Sequence, residues 1–356
     1  METMKVSIRD LKIIYDEEIK KNVKNKKKIL EFERNKIEYL IDIKRILENG
    51  EYNGGKYNIF LVYKPKVRVV MSQRVYDKII NHYVARFILI PKLSKYLNDR
   101  NCATRKGMGT SYAIEVLKKD IEYFKKYNRF YFLKLDISKY FYKIDHEVII
   151  NLIKNDLDED ELNLIKVILN STNYTYVNKL IELQEKRISS ELPKYEYNKG
   201  LPIGNMTSQF LAIFYLSKLQ HYIRHNLKLR FVNYMDDYII IHENKEYLKT
   251  CLKIIEEKLE KEYKLSINKN KTIITRSDIG VNFLGYNFKV INNKTIITLS
   301  QNTKRNIKEG IKRSKYLYEN NKITFNQYFN SIETYKYSYK YIDKIIIKNI
   351  FEKNWY

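Results

Sequence analysis

The chain has 356 residues and carries 67 Lys and Arg against 42 Asp and Glu, which gives a formal net charge of +25. Hydrophobic residues make up 44% of the chain, so a wholly disordered protein is excluded. No apolar run approaches the roughly 18 residues of a membrane span. Cys102 and Cys251 are too few for a disulfide scaffold or a zinc site, and the N-terminus shows no secretory signal. We therefore expect a cytoplasmic protein.

The excess of positive charge indicates a polyanionic partner, most often nucleic acid. An alternative source of the lysines is AT-rich codon usage, because the chain is also rich in Asn, Ile and Tyr. The basic residues nevertheless often stand beside aromatic ones, and the chain has 33 tyrosines. Since aromatic faces stack on bases while lysines bind phosphates, this arrangement favours a protein that binds nucleic acid.

The first part of the chain predicts helices around one β-hairpin. Residues 1–50 have apolar positions at helical spacing and end at a Gly-rich stretch. Two β-rich runs, 58–63 and 67–71, flank a turn that contains Pro65, which predicts a hairpin with a basic tip. The elements expected next are a helix over 74–97, a loop at 106–111, a helix to about Lys126 capped by Thr110 or Ser111, and a strand at 131–136.

The second part of the chain alternates helical and β-rich patterns. The expected elements are helices within 146–170, a polar and irregular stretch at 172–199, a turn at 200–204, a helix over 207–225, a strand–turn–strand unit over 229–242, a helix over 245–263, and short strands at 272–275, 281–291 and 294–299. The tail after residue 300 is helical in pattern and holds 12 Lys and Arg against 5 Asp and Glu. We therefore expect a basic surface there.

Three carboxylates stand in β-rich surroundings. Asp136 ends an apolar strand, and Asp236 and Asp237 lie between two apolar runs. Acidic residues in such places cost free energy unless solvent or a cation receives them. A plain β-turn would accommodate the pair, because Asp suits turns. The alternative is a Mg²⁺ site, since two such ions about 3.5–4 Å apart serve phosphoryl transfer, and Asp136 would then supply the third acid.

Five segments resemble the motifs of reverse transcriptases, and they occur in the order found in that family. They are KPKVR at 64–68 for the fingers hairpin, FLKLDISKYF at 132–141 for the first catalytic aspartate, GLPIGNMTSQ at 200–209 for the next motif, YMDD at 234–237 for the YxDD box, and FLGY at 283–286 for the primer grip. One such tetrapeptide alone is a weak signal, whereas five ordered motifs are specific. The chain therefore resembles a bacterial reverse transcriptase over about residues 58–290.

The resemblance implies an α+β right-hand polymerase fold, with fingers, palm and thumb, an antiparallel palm sheet and an N-terminal helical segment. The implied boundaries are 1–55 for the N-terminal helical extension, 56–130 for the fingers, 131–290 for the palm, with 146–199 partly fingers or insert, and 291–356 for a basic helical thumb. The implied activity is that of an RNA-directed DNA polymerase, which makes cDNA from an RNA template by two-metal nucleotidyl transfer.

The resemblance also assigns the metal ligands. Asp136, Asp236 and Asp237 match the family's catalytic acids, and Ile137 matches the position whose backbone faces the metal and the triphosphate. Two Mg²⁺ ions are implied as cofactors, with Mn²⁺ as an alternative.

The remaining matches concern the substrates. Phe141 matches an aromatic steric gate against ribonucleotides, although an ordinary core phenylalanine would also fit the pattern. Lys271 matches a lysine near the leaving pyrophosphate that would act as a general acid, and Lys269 is the competing candidate. The other implied nucleotide-binding residues are Lys64, Lys66, Arg68, Ile203, Gly204 and Gln209, and the implied primer grip is Phe283, Leu284, Gly285 and Tyr286.

The segment after residue 200 indicates a subtype. Many relatives carry Gln before the glycine of this motif and Pro after its serine, whereas this chain has Ile203 and Gln209. That form resembles the enzymes of diversity-generating retroelements, which copy a template RNA with errors at adenines. The alternatives are a phage-defence reverse transcriptase of the abortive-infection type and a non-catalytic RNA-binding relic. The implied partners are an RNA template, a DNA or RNA primer, dNTPs, and a small accessory protein or an associated non-coding RNA, with no membrane.

Overall fold

The computed structural model describes residues 4–63, 66–338 and 341. Its strands are β1 (Tyr57–Val62), β2 (Arg68–Gln73), β3 (Tyr131–Asp136), β4 (Arg230–Tyr234), β5 (Asp237–His242), β6 (Ile273–Arg276), β7 (Val281–Phe283), β8 (Tyr286–Ile291) and β9 (Lys294–Leu299). The proposed substrate residue Lys64 and the last part of the expected thumb lie outside the described residues. No helix among the described residues has both the length and the apolarity that crossing a membrane requires.

Helices surround these strands. They are α1 (Ile8–Ile13), α2 (Lys26–Arg34), α3 (Lys36–Glu48), α4 (Val75–Tyr83), α5 (Ile90–Leu93), α6 (Thr110–Phe124), α7 (Tyr140–Lys143), α8 (His146–Ile153), α9 (Glu159–Asn170), α10 (Thr175–Ile188), α11 (Met206–Tyr215), α12 (Ser217–His225), α13 (Lys245–Tyr263), α14 (Gln301–Glu319) and α15 (Phe325–Ser338). Two π-helical segments, Ile14–Ile19 and Val84–Leu89, continue α1 and α4.

A four-stranded antiparallel sheet in the order β4–β5–β3–β6 forms the centre of the fold. Successive residues of a strand point to opposite faces of the sheet. Phe132 and Ile239 belong to the apolar cluster that contains the buried face of α6. Leu133 and Ile240 belong to the larger cluster that contains the buried face of α13. Because both faces are covered, these strands are apolar almost throughout, as the sequence suggested.

The N-terminal helices pack against α4 and add to the larger apolar cluster. Tyr15 and Phe32 are buried there, with ring centroids 4.7 Å apart. A polar contact reinforces the packing, because the Glu18 carboxylate lies 2.6 Å from His82 Nδ1 and 2.8 Å from Arg86 Nη1. This region is therefore a helical layer on the hairpin side of the molecule, as expected for residues 1–50.

The β1–β2 hairpin is supported by a helix that the sequence pattern did not predict. The stretch 172–199 was expected to be irregular, but it contains α10. Val177 and Ile181 of α10 are buried in one cluster with Val69 and Met71 of β2. The prediction was wrong because α10 has only a narrow apolar face, and its many polar residues hide that face in the sequence.

Two further local predictions were wrong. Neither Thr110 nor Ser111 caps α6; the N-cap is Gly109, with no side-chain capping bond, at a φ of 134° that favours glycine. The single helix expected over 207–225 is divided into α11 and α12, because Leu216 departs from helical geometry between them.

The C-terminal part begins with a second antiparallel sheet, in the order β7–β8–β9. The palm boundary expected at residue 290 falls inside β8, so the helical part starts only at α14. The Ser300 side chain caps α14 by accepting a hydrogen bond from the Thr303 N–H at 3.2 Å. Ile307 and Ile311 of α14 and Ile332 of α15 are buried in the cluster that also holds this sheet. The sheet and the two helices are thus packed together.

The turn before α11 is fixed to the β1–β2 hairpin at one point. The Met71 N–H donates to the Ile203 carbonyl at 2.8 Å. The next residue, Gly204, has a φ of 128°, and a Cβ there would lie 2.5 Å from the Met71 carbonyl oxygen. A side chain would therefore force two backbone segments apart.

We expect Gly204→Ala to lower the free energy of unfolding by about 1–3 kcal/mol more than the control Gly109→Ala. Gly109 has nearly the same φ, 134°, but an added Cβ there meets no atom within 4 Å. The comparison isolates the collision with Met71 from the strain of the backbone angle. Urea denaturation of both variants measures the difference, and equal losses would show that the turn moves freely.

Candidate active site

Asp236 and Asp237 lie at a tight hairpin turn between β4 and β5. Tyr234 pairs with Asp237, so Met235 and Asp236 form the two-residue turn. Met235 has a φ of 57°, a conformation that few residues other than glycine, Asn or Asp adopt, and its carbonyl accepts a hydrogen bond from Asn233 Nδ2 at 3.2 Å. The turn therefore places Asp236 at the tip and Asp237 on the first position of β5.

Asp136 lies directly opposite Asp237, because the two residues are partners in the β3–β5 ladder. Opposed residues of antiparallel strands have Cβ atoms about 4.5–5.5 Å apart. The backbone of Asp136 is held on its other side, where the N–H of Asn268 donates to its carbonyl at 2.7 Å. The structure thus brings together the three carboxylates that the sequence suggested.

Burial and neighbouring acids raise the pKa of two of the three carboxylates, Asp236 and Asp237. Burial raises the pKa of Asp237 to about 6; the ammonium of Lys134 opposes this rise, and Asp236 and Asp136 add to it. Burial also raises the pKa of Asp236, and the negative charge of Asp136 contributes to that rise. Like charges held this closely in a partly buried place favour protonation unless cations are present. The cluster is therefore electrostatically suited to receive cations.

Cations approach the cluster from two sides. Lys66, in the turn of the β1–β2 hairpin, and Arg68, the first residue of β2, are exposed, and their charges lower the pKa of Asp236 against the effect of burial. On the other side, Lys271 Nζ lies 3.5 Å from Asp136 Oδ2 and is half exposed. Of the two lysines considered for this position, Lys271 is the one with an ion pair to an acid of the cluster, whereas Lys269 is exposed in the same loop.

The segment after Asp136 is short and well anchored. Ile137 is buried and pairs with Ile267, and this bridge uses the Ser138 N–H, which donates to the Ser266 carbonyl at 2.9 Å. The carbonyl of Ile137 takes part neither in this hydrogen bond nor in the one that the Asn268 N–H makes to the Asp136 carbonyl.

Phe141 is half-buried on α7 and packs against the larger apolar cluster, with its ring 6.0 Å from that of Tyr140 and nearly perpendicular to it. The Phe141 carbonyl accepts a hydrogen bond from the Leu201 N–H at 2.7 Å. The first catalytic motif is thereby attached to the 200–204 turn.

The residues expected to contact nucleotide after position 200 line that turn and the start of α11. Ile203 is half-buried and packs against the cluster beneath the β1–β2 hairpin. Gly204 is exposed at the turn, and Gln209 is half-buried in the first part of α11. Ile203 and Gly204 therefore lie against the β1–β2 hairpin.

A buried polar network that no sequence motif indicated fixes the start of α11. Thr207 Oγ1 donates to Asn81 Oδ1 at 2.7 Å, and Asn81 Nδ2 donates to Gln73 Oε1 at 2.8 Å. Asn205 Nδ2 donates to the Tyr57 hydroxyl at 2.6 Å. These residues connect α11 to α4 and to both strands of the hairpin. Buried Asn and Gln are a weak hint in a sequence, because their partners come from distant segments.

The residues expected to grip the primer form the turn between β7 and β8. Phe283 and Tyr286 are buried and paired across the strands, while Leu284 and Gly285 occupy the turn with φ of 47° and 88°. Thr303 Oγ1 donates to the Gly285 carbonyl at 2.9 Å, which ties the turn to α14. The turn is thus a rigid feature beside the central sheet.

The carboxylate cluster has the donor set that Mg²⁺ prefers, namely hard oxygen atoms. Asp237 Oδ1 is buried and accepts no hydrogen bond from any described residue. Within the described part of the chain, no three Asp, Glu, His or Cys side chains are arranged to enclose one ion. Mg²⁺ does not require such a set, because it commonly takes one or two carboxylates and completes its shell with water and substrate phosphates. The residues present therefore fit a substrate-assisted metal site.

Two solved telomerase structures are similar to part of this chain. An apo telomerase from Candida tropicalis, truncated from its C-terminal domain, is 17% identical with a TM-score of 0.46, and the match covers 70% of this chain and 55% of that one. A telomerase from Candida albicans, solved with a fragment of telomeric RNA, is 14% identical with a TM-score of 0.48, and the match covers 74% and 51%. The chain thus spans about half the length of each.

A curated protein of Saccharomyces cerevisiae, described as a putative COX1/OXI3 intron 2 protein, is 26% identical over 203 residues. The match covers 45% of this chain and 24% of that protein, so the chain spans about a quarter of its length.

The family comparison covers more than half of the chain. Residues 56–288 match the reverse transcriptase (RNA-dependent DNA polymerase) family, and this range contains all five sequence motifs. The fold is accordingly the right-hand polymerase fold, which confirms the expectation of an α+β structure with an antiparallel sheet at its centre. Members of this family use divalent metal ions and bind an RNA template and a primer. Its motifs, its central sheet and this match together show that the chain belongs to the reverse transcriptase family.

Proposed function

We propose that this protein is an RNA-directed DNA polymerase that extends a primer on an RNA template. The observation that carries the proposal is the meeting of Asp136, Asp236 and Asp237 at one end of the two middle strands of the central sheet, β3 and β5, with Lys66 and Arg68 acting electrostatically on Asp236. The carboxylates can bind metal ions, and the basic side chains can bind phosphate groups. Together they suit a site for a metal–triphosphate complex. A relic that only bound RNA would have no use for so costly a cluster.

The proposed metal ligands are the three carboxylates and the carbonyl of Ile137. The proposed ions are two Mg²⁺, with Mn²⁺ as the alternative. When bound, the ions lower the pKa of the primer 3′-hydroxyl and neutralise charge on the leaving pyrophosphate. The protein's own part is to hold its acids in place. The turn at Met235 and the pairing of Asp136 with Asp237 do this through the backbone.

The basic residues have separate proposed roles. Lys66 and Arg68 bind the triphosphate from the hairpin side, together with Lys64 beyond the described residues. Lys271, 3.5 Å from Asp136 Oδ2, is placed to give a proton to the pyrophosphate as it leaves. Its ion pair with Asp136 also keeps its ammonium at the cluster before substrate arrives.

The nucleic acid is proposed to lie along the side of the molecule that carries the carboxylate cluster and the β7–β8 turn. The β7–β8 turn, Phe283 to Tyr286, grips the primer, and the N-terminal extension, the hairpin region, the central sheet and the C-terminal helices correspond to extension, fingers, palm and thumb. α14 contributes a basic surface, since its Lys and Arg residues outnumber its acids. The net charge of +25 supports binding to a phosphate backbone.

Asp136→Asn and Asp236→Asn should each reduce primer extension in Mg²⁺ by more than about 1,000-fold, because a neutral amide keeps the shape but not the charge that a divalent ion needs. Asp278→Asn is the matched control, since Asp278 is an exposed acid whose partner is Arg276. Gel-based extension of a DNA primer on RNA measures the rates, and binding of the RNA should be retained. Near-normal extension by either active-site variant would exclude the proposed site.

Phe141→Ala should admit ribonucleotides. We propose that the ring of Phe141 lies beneath the sugar of the incoming nucleotide and excludes a 2′-hydroxyl by contact. Removing the ring should raise the ratio of rNTP to dNTP incorporation by about ten-fold or more, whereas Phe141→Tyr, which keeps the ring, should leave the ratio low. Single-nucleotide incorporation assays give both ratios. An unchanged ratio in an active Phe141→Ala enzyme would mean that this side chain only packs the core.

We further propose that the enzyme is of bacterial origin and error-prone, as in diversity-generating retroelements. The support is the sequence around Ile203 and Gln209, which resembles that subtype. An apolar Ile203 beside the nascent base pair offers shape but no hydrogen bond, and apolar contacts discriminate only weakly. A template repeat and a variable repeat near the gene would support this subtype, whereas a phage-defence enzyme would lack them.

Ile203→Gln should lower misincorporation several-fold, chiefly opposite template adenine, because an amide there can hold the substrate in one pose. Ile203→Leu is the control, since it changes shape slightly and adds no hydrogen bond. Sequencing of cDNA made by the three enzymes on one defined RNA measures the error spectra. An accurate wild-type enzyme, or an active Ile203→Gln enzyme with an unchanged spectrum, would contradict the link between this position and infidelity.

A further inference from the structure

Lys134 occupies an unusual place in the central sheet. It lies on β3 two residues before Asp136, so both side chains leave the strand on the same face. Its neighbours across the two adjoining strands are Ile239 and Ile273. A charged residue on a strand lined by apolar partners costs free energy unless its ammonium is well paired.

The ammonium of Lys134 is paired with two different structural units. Its Nζ donates to the Asn282 carbonyl of β7 at 2.8 Å and lies 3.2 Å and 3.3 Å from the two carboxylate oxygens of Asp237. The side chains of Lys134 and Asp237 are only 19% and 26% exposed. One group thus bridges the β4–β5 hairpin and the first strand of the other sheet.

Both contacts involve parts of the proposed machinery. Among the described residues, Lys134 is the one hydrogen-bond and ion-pair partner of the Asp237 side chain. Asn282 immediately precedes Phe283, the first residue of the proposed primer grip. A shift of the β7–β8 turn therefore either carries Lys134 with it or breaks a charge-assisted hydrogen bond, which is among the stronger kinds.

We propose that Lys134 is a positioning residue that sets the distance between the catalytic carboxylates and the primer-gripping turn. The ammonium fixes Asp237 on one side and the backbone of β7 on the other, so the primer end held by that turn arrives at a defined place beside Asp136 and Asp236. The nucleotide is held by other groups, on the hairpin side. This inference rests on the proposed function.

Because Lys134 is proposed to place the primer and not the nucleotide, its loss should affect the kinetics of the two substrates differently. Lys134→Met removes both contacts and leaves an apolar stem of similar length, so it should reduce kcat/KM for the primer–template by about ten-fold while the KM for dNTP changes less than about two-fold. Lys134→Arg keeps the charge and the donors, and should restore most of the loss. Lys289→Met, on β8 and away from the carboxylates, is the control. If Lys134→Met does not fold, Lys134→Gln takes its place with the same measurements.

A double-mutant cycle tests whether Lys134 acts through Asp237. If it does, the losses of primer–template kcat/KM in Lys134→Met and Asp237→Asn should not add in the double variant. Additive losses, or a loss in Lys134→Met that appears equally in the KM for dNTP, or no rescue by Lys134→Arg, would overturn the proposal.

Binding separates this proposal from the proposed function. Fluorescence anisotropy measures the affinity of each variant for a labelled primer–template hybrid without dNTP. A wild-type protein that binds the hybrid but never extends it would refute the polymerase assignment, while weaker binding by Lys134→Met than by Lys289→Met would still support the positioning role. Equal binding by these two variants, with equal extension, would refute the positioning role alone.

Discussion

The arrangement of this protein depends on one electrostatic constraint: two acids face each other across a strand pair. Asp136 and Asp237 are ladder partners, and Asp236 follows them at the adjacent turn. Like charges directly opposite one another destabilise a sheet. The register cannot shift to relieve this, because a slip by one residue would exchange the side chains that pack with α6 for those that pack with α13.

Positively charged side chains around the acids offset the repulsion between them. Lys134 approaches Asp237 from within the sheet, Lys271 approaches Asp136 from the loop before β6, and Lys66 and Arg68 act on Asp236 from the hairpin. Only the first of these is substantially buried. The exposed cations stabilise the acids only weakly, because solvent screens their charge, so the site keeps a capacity for further cations and for a triphosphate. The same few contacts therefore affect both the stability of the central sheet and the chemistry of the site.

Much of the fold could be predicted from sequence, where the signal is local. The strand ending at Asp136, the hairpin around Met235 and the helix α13 follow from runs and turns that neighbouring residues define. α10 was missed because its apolar face is narrow. The break between α11 and α12 was missed because no Gly or Pro stands at Leu216 to mark it. The three acids could be grouped in advance because the family motifs place them together. The partners of Lys134 and Asn81 could not be predicted, since each comes from a segment far away in the chain.

The bond between Met71 and Ile203 has a mechanical consequence. A β-hairpin that is attached only at its base can rotate independently of the neighbouring domain. Here the hairpin strand β2 is joined by backbone to the 200–204 turn, and Gly204 leaves no slack between them. That turn is in turn bonded to α7 through Leu201 and Phe141. A displacement of β2 would therefore be transmitted through these two hydrogen bonds to α7, the helix that closely follows the strand end at Asp136.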